Sequence, residues 1–441
     1  MKLSGWGRYP VLETELHLPR SVEALRALVL SGSGLIARGN GRAYGDSAIG
    51  SAATVDMRHF DRMLAFDTGT GQLVAEAGVL LGDIIAAFLH RGWFPLVTPG
   101  TKFVTLGGAI AADVHGKNHH KEGSFRACVD WIEVMGPDGE IRRCSRQEDA
   151  ILFDHTLGGM GLTGIILRAA IRLRPVETGW IRQSTIAAPN LAAAMDAFEA
   201  AQDTTYSVAW IDCLATGAAR GRSLVMLGEH AAVADLPPAR AAAPFHVSPR
   251  RKLSVPLDFP AFALNRLTVA AFNAIYYRAG ARKRTAKLVD WDSYFYPLDA
   301  IHGWNRIYGR KGFAQFQCVL PPDRSQAGLT ALLADIAAAG SGSFLAVLKR
   351  FGAQEATFSF PMEGYTLALD FPVNAGTLAL LDRLDRIALD HGGRFYLAKD
   401  SRMSAATLRA SDARVADFHA LREAEGLSDR FRSVQSERLG L

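Results

Sequence analysis

Apolar and polar residues follow helical and strand periods in turn over the first part of the chain. Residues 22–30 (VEALRALVL) carry apolar side chains at helical spacing, and Ser21 before them is suited to cap a helix. The short apolar runs GLIARG, SAATVDMRHF and QLVAEA are typical of strands, and LLGDIIAAFLHRG continues the last one as an amphipathic helix. CVDWIEVM and EIRRCS flank a Pro-Asp-Gly turn and predict a hairpin. Residues 1–178 therefore predict one α+β unit.

The pattern changes in residues 179–393. Alanine-rich helical segments (LAAAMDAFEAAQ, LTALLADIAAAG, TLALLDRLDRIALDHG) alternate there with the strand candidates YSVAWIDCLA, GFAQFQCVLP, GSFLAVLKRFG and GYTLALDFP. Such alternation predicts a second α+β unit built around a sheet. Within it, residues 247–303 look like an insert, because basic residues flank an apolar, aromatic-containing stretch. Two interpretations stay open: a surface helix with solvated ends, or a segment that lies on anionic lipid.

Composition excludes several classes of protein. The length of 441 residues fits two or three domains, and a net charge of +5 does not predict nucleic-acid binding. None of the four cysteines forms a CxxC pair, so neither a zinc ribbon nor a disulfide framework is predicted. The N-terminal sequence lacks the apolar region of a signal peptide, and no apolar run reaches the roughly 18 residues of a membrane span. We expect a soluble or peripherally attached protein.

Three glycine-rich stretches carry the first chemical signal. RGNGRAYGD (38–46) follows a strand, but its GxGxxxG spacing is neither a dinucleotide-binding fingerprint nor a P-loop. In TPGTKFVTLGGAIAADVHGKNHH (98–120), a glycine pair opens a predicted helix, and GGMGLTG (158–164) is a third glycine turn. Closely spaced glycines let backbone N–H groups approach a phosphate. Three such loops in one unit predict a long, phosphate-bearing ligand that passes several backbones.

Three histidines within six positions raise the question of a metal site. His115 and His119 are four residues apart, which would place them on one face of a helix. Gly116 and Asn118 disfavour a continuous helix there, and no carboxylate or cysteine completes a ligand set nearby. We therefore predict no metal site.

Together, these three stretches resemble the FAD domain of flavoenzymes of the vanillyl-alcohol-oxidase type. Within that superfamily the chain closely resembles the decaprenylphosphoryl-β-D-ribose oxidase family, because WNRIYGRKGFAQFQCVLP, VLKRFG, GYTLALDFP and RFYLAKDSRM also match. The resemblance implies an α+β, two-domain flavoprotein. It implies an FAD domain made of residues 1–178 and 394–441, split around a substrate domain, residues 179–393, that contains a mixed or antiparallel sheet.

The resemblance also implies which residues contact FAD. These are Arg38, Gly39, Asn40, Gly41, Arg42, Ala43, Tyr44, Gly45, Thr101, Thr105, Gly107, Gly108, Ala109, Ala112, Asp113, Gly116, Asn118, His119, Gly164, Ile165 and Tyr396. Many relatives attach the flavin covalently to a histidine of the first loop. This chain has Tyr44 about there, which predicts non-covalent FAD.

Catalytic and substrate contacts follow from the same resemblance. Lys399 is the first candidate to take a proton from an alcohol, because a partly desolvated lysine has a lowered pKa. A surface salt bridge of this lysine with Asp400 is the plain alternative. His115 is the second catalytic candidate, with a structural role equally open. The expected substrate contacts are Tyr44, Lys117, Gln315, Gln317 and Lys349, the last two on neighbouring strand candidates.

One departure from the family affects the substrate pocket. Actinobacterial members carry a cysteine near the position of Ala368 and a larger amide at that of Thr366. The absence of the thiol indicates that the chemistry does not need it and predicts no covalent capture there by thiol-reactive inhibitors.

The implied reaction is oxidation of the 2′-hydroxyl of a polyprenyl-phosphoryl ribose to a ketone, on the route to an arabinose donor for the cell wall. The implied partners are a quinone-type electron acceptor and a short-chain reductase. We expect peripheral contact with the inner membrane, on its cytoplasmic or periplasmic face. Two alternatives stay open: an oxidase of the same fold for a soluble sugar alcohol or aldonolactone, and a flavin- or lipid-binding protein without catalysis.

Overall fold

A computed structural model describes residues 1–248, 250–260, 262–282 and 286–441. Its first part begins with short strands and continues through alternating strands and helices. In chain order the elements are β1 Lys2–Ser4, β2 Val11–Glu13, β3 Glu15–His17, α1 Val22–Ser31, β4 Leu35–Arg38, β5 Ala53–Asp56, β6 Met63–Asp67, β7 Gln72–Glu76, α2 Leu81–Phe88, β8 Trp93–Pro95, α3 Leu106–Ala111, α4 His119–Glu122, β9 Val129–Met135, β10 Ile141–Ser145, α5 Ala150–Thr156 and β11 Ile165–Pro175.

The first part of the chain forms two main sheets. A parallel sheet has the order β3-β5-β4, and a larger antiparallel sheet has the order β10-β9-β11-β7-β6 with β8 paired to β11. Ser21 caps α1 by accepting a hydrogen bond from the Ala24 N–H, as the sequence predicts. The predicted hairpin is β9–β10, in which Met135 pairs with Ile141 across the turn.

The second part of the chain adds longer helices and longer strands. Its elements are β12 Trp180–Ala188, α6 Leu191–Glu199, β13 Tyr206–Ile211, β14 Ser223–His230, α7 Pro238–Ala241, β15 Leu253–Ser254, α8 Arg266–Ala281, β16 Lys287–Asp290, α9 Trp291–Phe295, β17 Ile301–His302, β18 Phe313–Leu320, α10 Pro322–Ala339, β19 Ala346–Phe351, β20 Gly364–Pro372, α11 Ala375–Asp390, β21 Arg394–Phe395, α12 Ala405–Ser411, α13 Val415–Ala424 and α14 Val434–Leu439.

One eight-stranded sheet dominates this part, with the order β16-β12-β14-β13-β19-β20-β18-β21. All its pairings are antiparallel. The mixed helix and sheet content and these antiparallel sheets confirm the α+β class. The sequence analysis did not identify the other four strands of this sheet, β12, β14, β16 and β21.

Alternation along the strands gives this sheet two different faces. On β18, Phe316 and Cys318 join a large apolar core with Leu329 of α10 and Leu384 of α11. The intervening residues of β18 point to the opposite face, because side chains of a strand alternate. That opposite face carries the polar side chains of the central strands, and α6, α10 and α11 cover only the apolar one.

The C-terminal tail folds back onto the first part of the chain. Phe431 is fully buried in a core that it shares with Leu25, Leu35 and Val55. The backbone N–H of Arg432 donates to the carbonyl of Leu35 at 2.9 Å, which extends the edge of β4. Other parts of the tail, such as Phe418 of α13, pack in the core of the eight-stranded sheet. The tail therefore ties the two parts together.

The segment predicted as an insert, residues 247–303, is only partly separate from the core. β16 pairs with β12, and Tyr294 and Tyr296 are buried, so its C-terminal portion belongs to the fold. α8 is a helix at the surface, which fits both interpretations of the segment. Residues 249, 261 and 283–285 of the predicted insert lie outside the described residues. Among the helices that the structure describes, none is long and apolar enough to cross a bilayer.

The docking of the tail predicts a specific loss of stability. Phe431→Ala empties a fully buried aromatic site, and we expect the free energy of unfolding to fall by about 3–5 kcal/mol. Urea unfolding followed by circular dichroism measures this change.

The matched control is Leu30→Ala, since Leu30 of α1 is 52% exposed near the same core. Its expected effect is within about 0.5 kcal/mol. A Phe431→Ala protein as stable as the control would show that the tail is not part of this core.

Candidate active site

A cavity of about 340 Å³ lies between the glycine loops and the polar face of the eight-stranded sheet. Its volume is in the range of small-molecule sites. The first glycine loop and α3 form one wall, and β18, β19 and β20 form the other. The segment around Lys399, which follows β21, closes the space between them.

Glycine is required where the first wall is built. A Cβ on Gly39 would lie 2.1 Å from the Thr105 hydroxyl oxygen, and one on Gly107 would lie 2.8 Å from the Cβ of Ala77. Thr105 caps α3 by accepting from the Gly108 N–H at 3.2 Å. The loop and the helix therefore approach each other closely and leave bare backbone facing the cavity, as a ligand with phosphate groups requires.

Two buried polar atoms of the cavity wall have no protein partner within the described part of the chain. They are the Nε of Arg42 and the Oε1 of Gln315. The Arg42 guanidinium lies over the Trp6 ring, 4.2 Å from its centroid. Buried polar groups are normally hydrogen-bonded, so unpaired ones at a cavity indicate a ligand. With the glycine wall, the Arg42 N–H fits an anionic group and the Gln315 oxygen fits a hydrogen-bond donor, and FAD carries both kinds of group.

The second wall is polar because of strand alternation. Gln315 pairs with Asp370, and Gln317 pairs with Ala368, across β18 and β20. Lys349 of β19 pairs with Thr366 on the other side of β20. Gln317 and Lys349 thus line one cavity, but β20 separates their strands, so the expectation that the strands are neighbours is wrong.

His115 is held in the cavity through both ring nitrogens. Its Nε2 lies 3.0 Å from the Gln317 amide nitrogen, and its Nδ1 lies 3.3 Å from the Lys349 Nζ. Burial and the charge of Lys349 hold the pKa of His115 well below its usual value, so the ring is neutral. A neutral imidazole has one acceptor and one donor nitrogen. The Gln317 amide nitrogen and the Lys349 ammonium are both donors, so His115 accepts a hydrogen bond from one of them and its own N–H lies against the other.

Lys399 projects into the cavity and not toward solvent. Its Nζ lies 3.4 Å from the centroid of the Tyr44 ring. Asp400 beside it is bound instead to Arg438 at 2.8 Å, so the plain alternative of a Lys399–Asp400 surface pair is wrong. Burial lowers the pKa of Lys399, the nearby Asp370 opposes this shift, and Lys349 adds to it.

Asp370 is the cavity residue of most chemical interest that sequence reasoning missed. It is 2% exposed, accepts a hydrogen bond from the Gln315 amide, and its pKa is raised because it is buried. The signal was present in GYTLALDFP, where alternation sets Thr366, Ala368 and Asp370 on one face. Thr366 and Ala368, the two positions of departure from the family, also line the cavity.

Most residues expected to bind cofactor or substrate line this cavity. They are Gly39, Asn40, Gly41, Arg42, Ala43, Tyr44, Thr101, Thr105, Gly107, Gly108, Ala112, His115, Gly164, Gln315, Gln317, Lys349, Tyr396 and Lys399. Nine others do not line it: Arg38, Gly45, Ala109, Asp113, Gly116, Lys117, Asn118, His119 and Ile165.

The polar members of these nine bind protein groups instead. Arg38 donates to two backbone carbonyl oxygens, and Asp113 accepts from the hydroxyl of Ser124 at 2.7 Å. The Asn118 amide donates to a backbone carbonyl, and the Nε2 of His119 lies 3.1 Å from the Gln354 Oε1. Their hydrogen bonds fix the loop around the cavity, so these residues support the wall from behind.

The small and apolar members of these nine pack against other protein groups. Ala109 and Ile165 are fully buried in apolar cores, and Ile166, the next residue of β11, faces the cavity instead. A Cβ on Gly45 would lie 2.1 Å from the Asp400 carbonyl oxygen, and one on Gly116 would lie 2.5 Å from a side-chain oxygen, so both contact protein.

Lys117 is half-buried and lies outside the cavity, against α9. Its Nζ donates to the Tyr294 carbonyl and lies 4.0 Å from the centroid of the Tyr294 ring. Burial lowers the pKa of Lys117 to about 7. The expected contact of Lys117 with substrate is therefore wrong for the conformation described, in which it anchors the loop to α9.

Comparisons with known proteins point to the same cofactor. Residues 17–145 match the FAD binding domain family. Cytokinin dehydrogenase 5 of Arabidopsis thaliana is 32% identical over 187 residues, which cover 38% of this chain and 33% of that protein. This local similarity covers too little of either chain to indicate a substrate. FAD is the cofactor of this protein.

Two further relatives extend over most of the chain. An uncharacterised protein of Streptomyces coelicolor is 35% identical over 373 residues, covering 82% of this chain and all of that protein. The decaprenylphosphoryl-beta-D-ribose oxidase of Mycolicibacterium smegmatis is 36% identical over 454 residues, covering all of this chain and 97% of that enzyme. The chain belongs to the decaprenylphosphoryl-β-D-ribose oxidase family of FAD-dependent oxidoreductases.

Proposed function

We propose that this protein oxidises the 2′-hydroxyl of a polyprenyl-phosphoryl-β-D-ribose to the 2′-keto sugar, a step toward an arabinose donor for the cell wall. The observation that carries the proposal is the cavity itself. It combines a glycine wall suited to FAD with Lys399, which lines the cavity and is suited to take the hydroxyl proton. The full-length similarity to an enzyme named for this substrate supports the choice of sugar.

The proposed architecture is a split FAD domain around a substrate domain. Residues 1–178 and 394–441 would form the former, and residues 179–393 the latter. The match of residues 17–145 to an FAD binding domain and the docking of Phe431 beside Leu35 support this division. β21, residues 394–395, pairs with β18, so the return to the FAD domain would follow that strand.

FAD would be held by the glycine wall and Arg42. The backbone of the Gly39–Gly41 loop and of Gly107–Gly108 faces the cavity, and the Nε–H of Arg42 there has no partner within the described part of the chain. Bound FAD supplies the hydride acceptor. Tyr44 is the residue about where many relatives carry a flavin-linked histidine, so we propose that FAD is bound without a covalent bond.

Lys399 is the residue we assign to proton removal. Oxidation of an alcohol needs an acceptor for the hydroxyl proton within hydrogen-bond reach of the substrate. A lysine can act as that base only when its amine is neutral, and burial in the cavity favours the neutral form. Its position over the Tyr44 ring keeps the amine directed into the cavity.

Asp370 is assigned to adjusting this lysine. Its carboxylate stabilises the ammonium form of Lys399 and so limits the lowering of the pKa by burial. After the amine takes the proton, the resulting ammonium would face a carboxylate and not a purely apolar wall. Gln315 orients that carboxylate by donating a hydrogen bond to it.

Lys349, Gln317 and His115 are assigned to holding the sugar. Burial lowers the pKa of Lys349 to about 8, so near neutral pH it is still partly charged and can attract a phosphate. His115 fixes the Lys349 amine and the Gln317 amide relative to each other. With both ring nitrogens engaged, His115 is better placed to orient these groups than to carry the proton itself.

Two partners complete the proposed cycle. A quinone-type acceptor would take the electrons from the reduced cofactor, and a short-chain reductase would convert the keto sugar to the arabinose form. Both proposals follow from the family. A peripheral location on the cytoplasmic or periplasmic face of the inner membrane would suit a substrate whose lipid tail stays in the bilayer.

The substrate proposal predicts selective reduction of the bound flavin. Under anaerobic conditions, a polyprenyl-phosphoryl ribose should bleach the flavin absorbance of the purified protein, and free aldonolactones or sugar alcohols should not. Reduction by soluble sugars alone would favour the alternative oxidase. A protein that binds FAD but is reduced by neither class would favour a binding protein without catalysis.

Lys399 and Asp370 predict a characteristic pH profile. The rate of flavin reduction should rise with pH through the pKa of Lys399, because only the neutral amine accepts a proton. Asp370→Asn removes the charge that raises this pKa, so the rise should shift to lower pH, by about one unit. Lys399→Met should lower the rate by about 10²- to 10⁴-fold and abolish the rise, with FAD still bound.

Stopped-flow reduction across pH 5–10 measures these profiles. Lys121→Met serves as a control, since Lys121 is an exposed lysine of α4, a few residues after His115. It should behave like the unchanged protein. A Lys399→Met protein of normal rate, or an Asp370→Asn profile shifted to higher pH, would contradict the assignments.

A further inference from the structure

Large apolar side chains are exposed along one surface segment. Between residues 257 and 276, Leu257, Phe262 and Leu267 are each at least 76% exposed, and Ile275 is 69% exposed. Phe259, Phe272 and Tyr276 of the same segment are also exposed. Single exposed apolar residues need no explanation, but a concentration of this size marks a contact surface.

The fold holds this surface outward. α8 docks on the eight-stranded sheet through Val269 and Asn273, and the Asn273 amide donates to Asp212 at 2.8 Å. One turn further on, the Tyr277 hydroxyl donates to the Ala188 carbonyl at 3.2 Å. Because these contacts fix the rotation of the helix, the opposite side cannot turn inward to bury its apolar groups.

The outer face of α8 combines apolar and basic groups. Leu267, Ala271 and Ile275 are four residues apart and share one side of the helix, and Arg278 and Arg282 fall on the same side. All five side chains are exposed to solvent. Arginine side chains can lie along apolar surface while the charge reaches the polar boundary. This combination suits the interface of a membrane.

The charge of the whole segment has one sign. Residues 250–282 contain six basic residues and a single acidic one, Asp258. Asp258 is paired with Arg8 at 2.5 Å, so it does not offset the basic groups. A basic surface around an apolar centre is complementary to anionic lipid.

An aromatic cluster connects this surface with the cavity. The ring of Phe272 lies 5.9 Å from that of Phe344, and Phe344 packs in a cluster with Leu264 and Trp304. Trp304 and Leu345 of this cluster also line the cavity. The cavity and α8 are therefore two sides of the same apolar cluster.

We propose that the outer face of α8, with the exposed apolar residues before it, lies in the surface of an anionic lipid bilayer and turns the cavity toward it. The proposal rests on the proposed function only for its purpose, which is access to a substrate whose lipid tail stays in the membrane. The contact itself follows from the exposed residues and their charge.

Vesicle binding tests the contact directly. The full-length protein with FAD is mixed with vesicles of phosphatidylcholine alone or with phosphatidylglycerol, and the bound fraction is measured by flotation. We expect binding to the anionic vesicles that weakens with salt. Leu267→Glu with Ile275→Glu should weaken it by about tenfold or more, because two interfacial side chains become charged.

Two exposed apolar residues elsewhere provide the matched control. Val11→Glu with Ile151→Glu changes residues that are 59% and 65% exposed, and binding should stay as in the unchanged protein. Light scattering measures whether the substitutions in α8 change the oligomeric state of the protein. The proposal would be overturned if the unchanged protein did not bind anionic vesicles, or if the α8 variant bound them as well as the control variant. It would also be overturned if the only effect of the α8 variant were to split a dimer.

The same variant separates this proposal from the proposed function. A short-chain prenyl-phosphoryl ribose in solution should reduce its flavin at the normal rate, because the variant does not alter the cavity. If that substrate fails with the unchanged protein while vesicle binding holds, the proposed function is wrong and the membrane contact stands.

Discussion

The structure depends on the burial of a polar strand face against bare backbone. Gln315, Gln317, Lys349 and Asp370 occupy the inward positions of three adjacent strands, which would be costly to bury against apolar side chains. The glycine loops opposite offer N–H groups and space where larger residues would offer methyl groups. Among the residues that the structure describes, a buried polar atom of Arg42 and one of Gln315 have no hydrogen-bond partner at this cavity.

Strand alternation gives the eight-stranded sheet two separate roles. Leu367 and Leu369 of β20 belong to the apolar core beneath α10 and α11, and their neighbours Ala368 and Asp370 face the cavity. Packing can therefore stabilise the fold on one face without constraining the chemistry on the other. Outside the cavity, the same part of the chain carries α8, whose exposed apolar face we propose to be a contact with lipid.

Local pattern was sufficient for many of the longer elements and for part of the site. Ser21 and the apolar spacing after it specify α1, and the Pro-Asp-Gly turn specifies the β9–β10 hairpin. The order of strands could not be predicted, because antiparallel pairing between distant segments depends on packing and not on local spacing. For this reason β20 was not expected between the strands of Gln317 and Lys349.

Within a motif, the sequence could predict which loop lines the site but not the direction in which each side chain points. Asn118 and His119 turn away from the cavity and form hydrogen bonds with a backbone carbonyl and with Gln354, whereas Asp370 turns into the cavity.

The most direct test of the account is anaerobic reduction of the flavin by polyprenyl-phosphoryl ribose carrying deuterium on the carbon of the 2′-hydroxyl. The account predicts reduction that is severalfold slower than with the unlabelled sugar. An equal rate, with slowing only when another carbon is labelled, would contradict oxidation at that carbon.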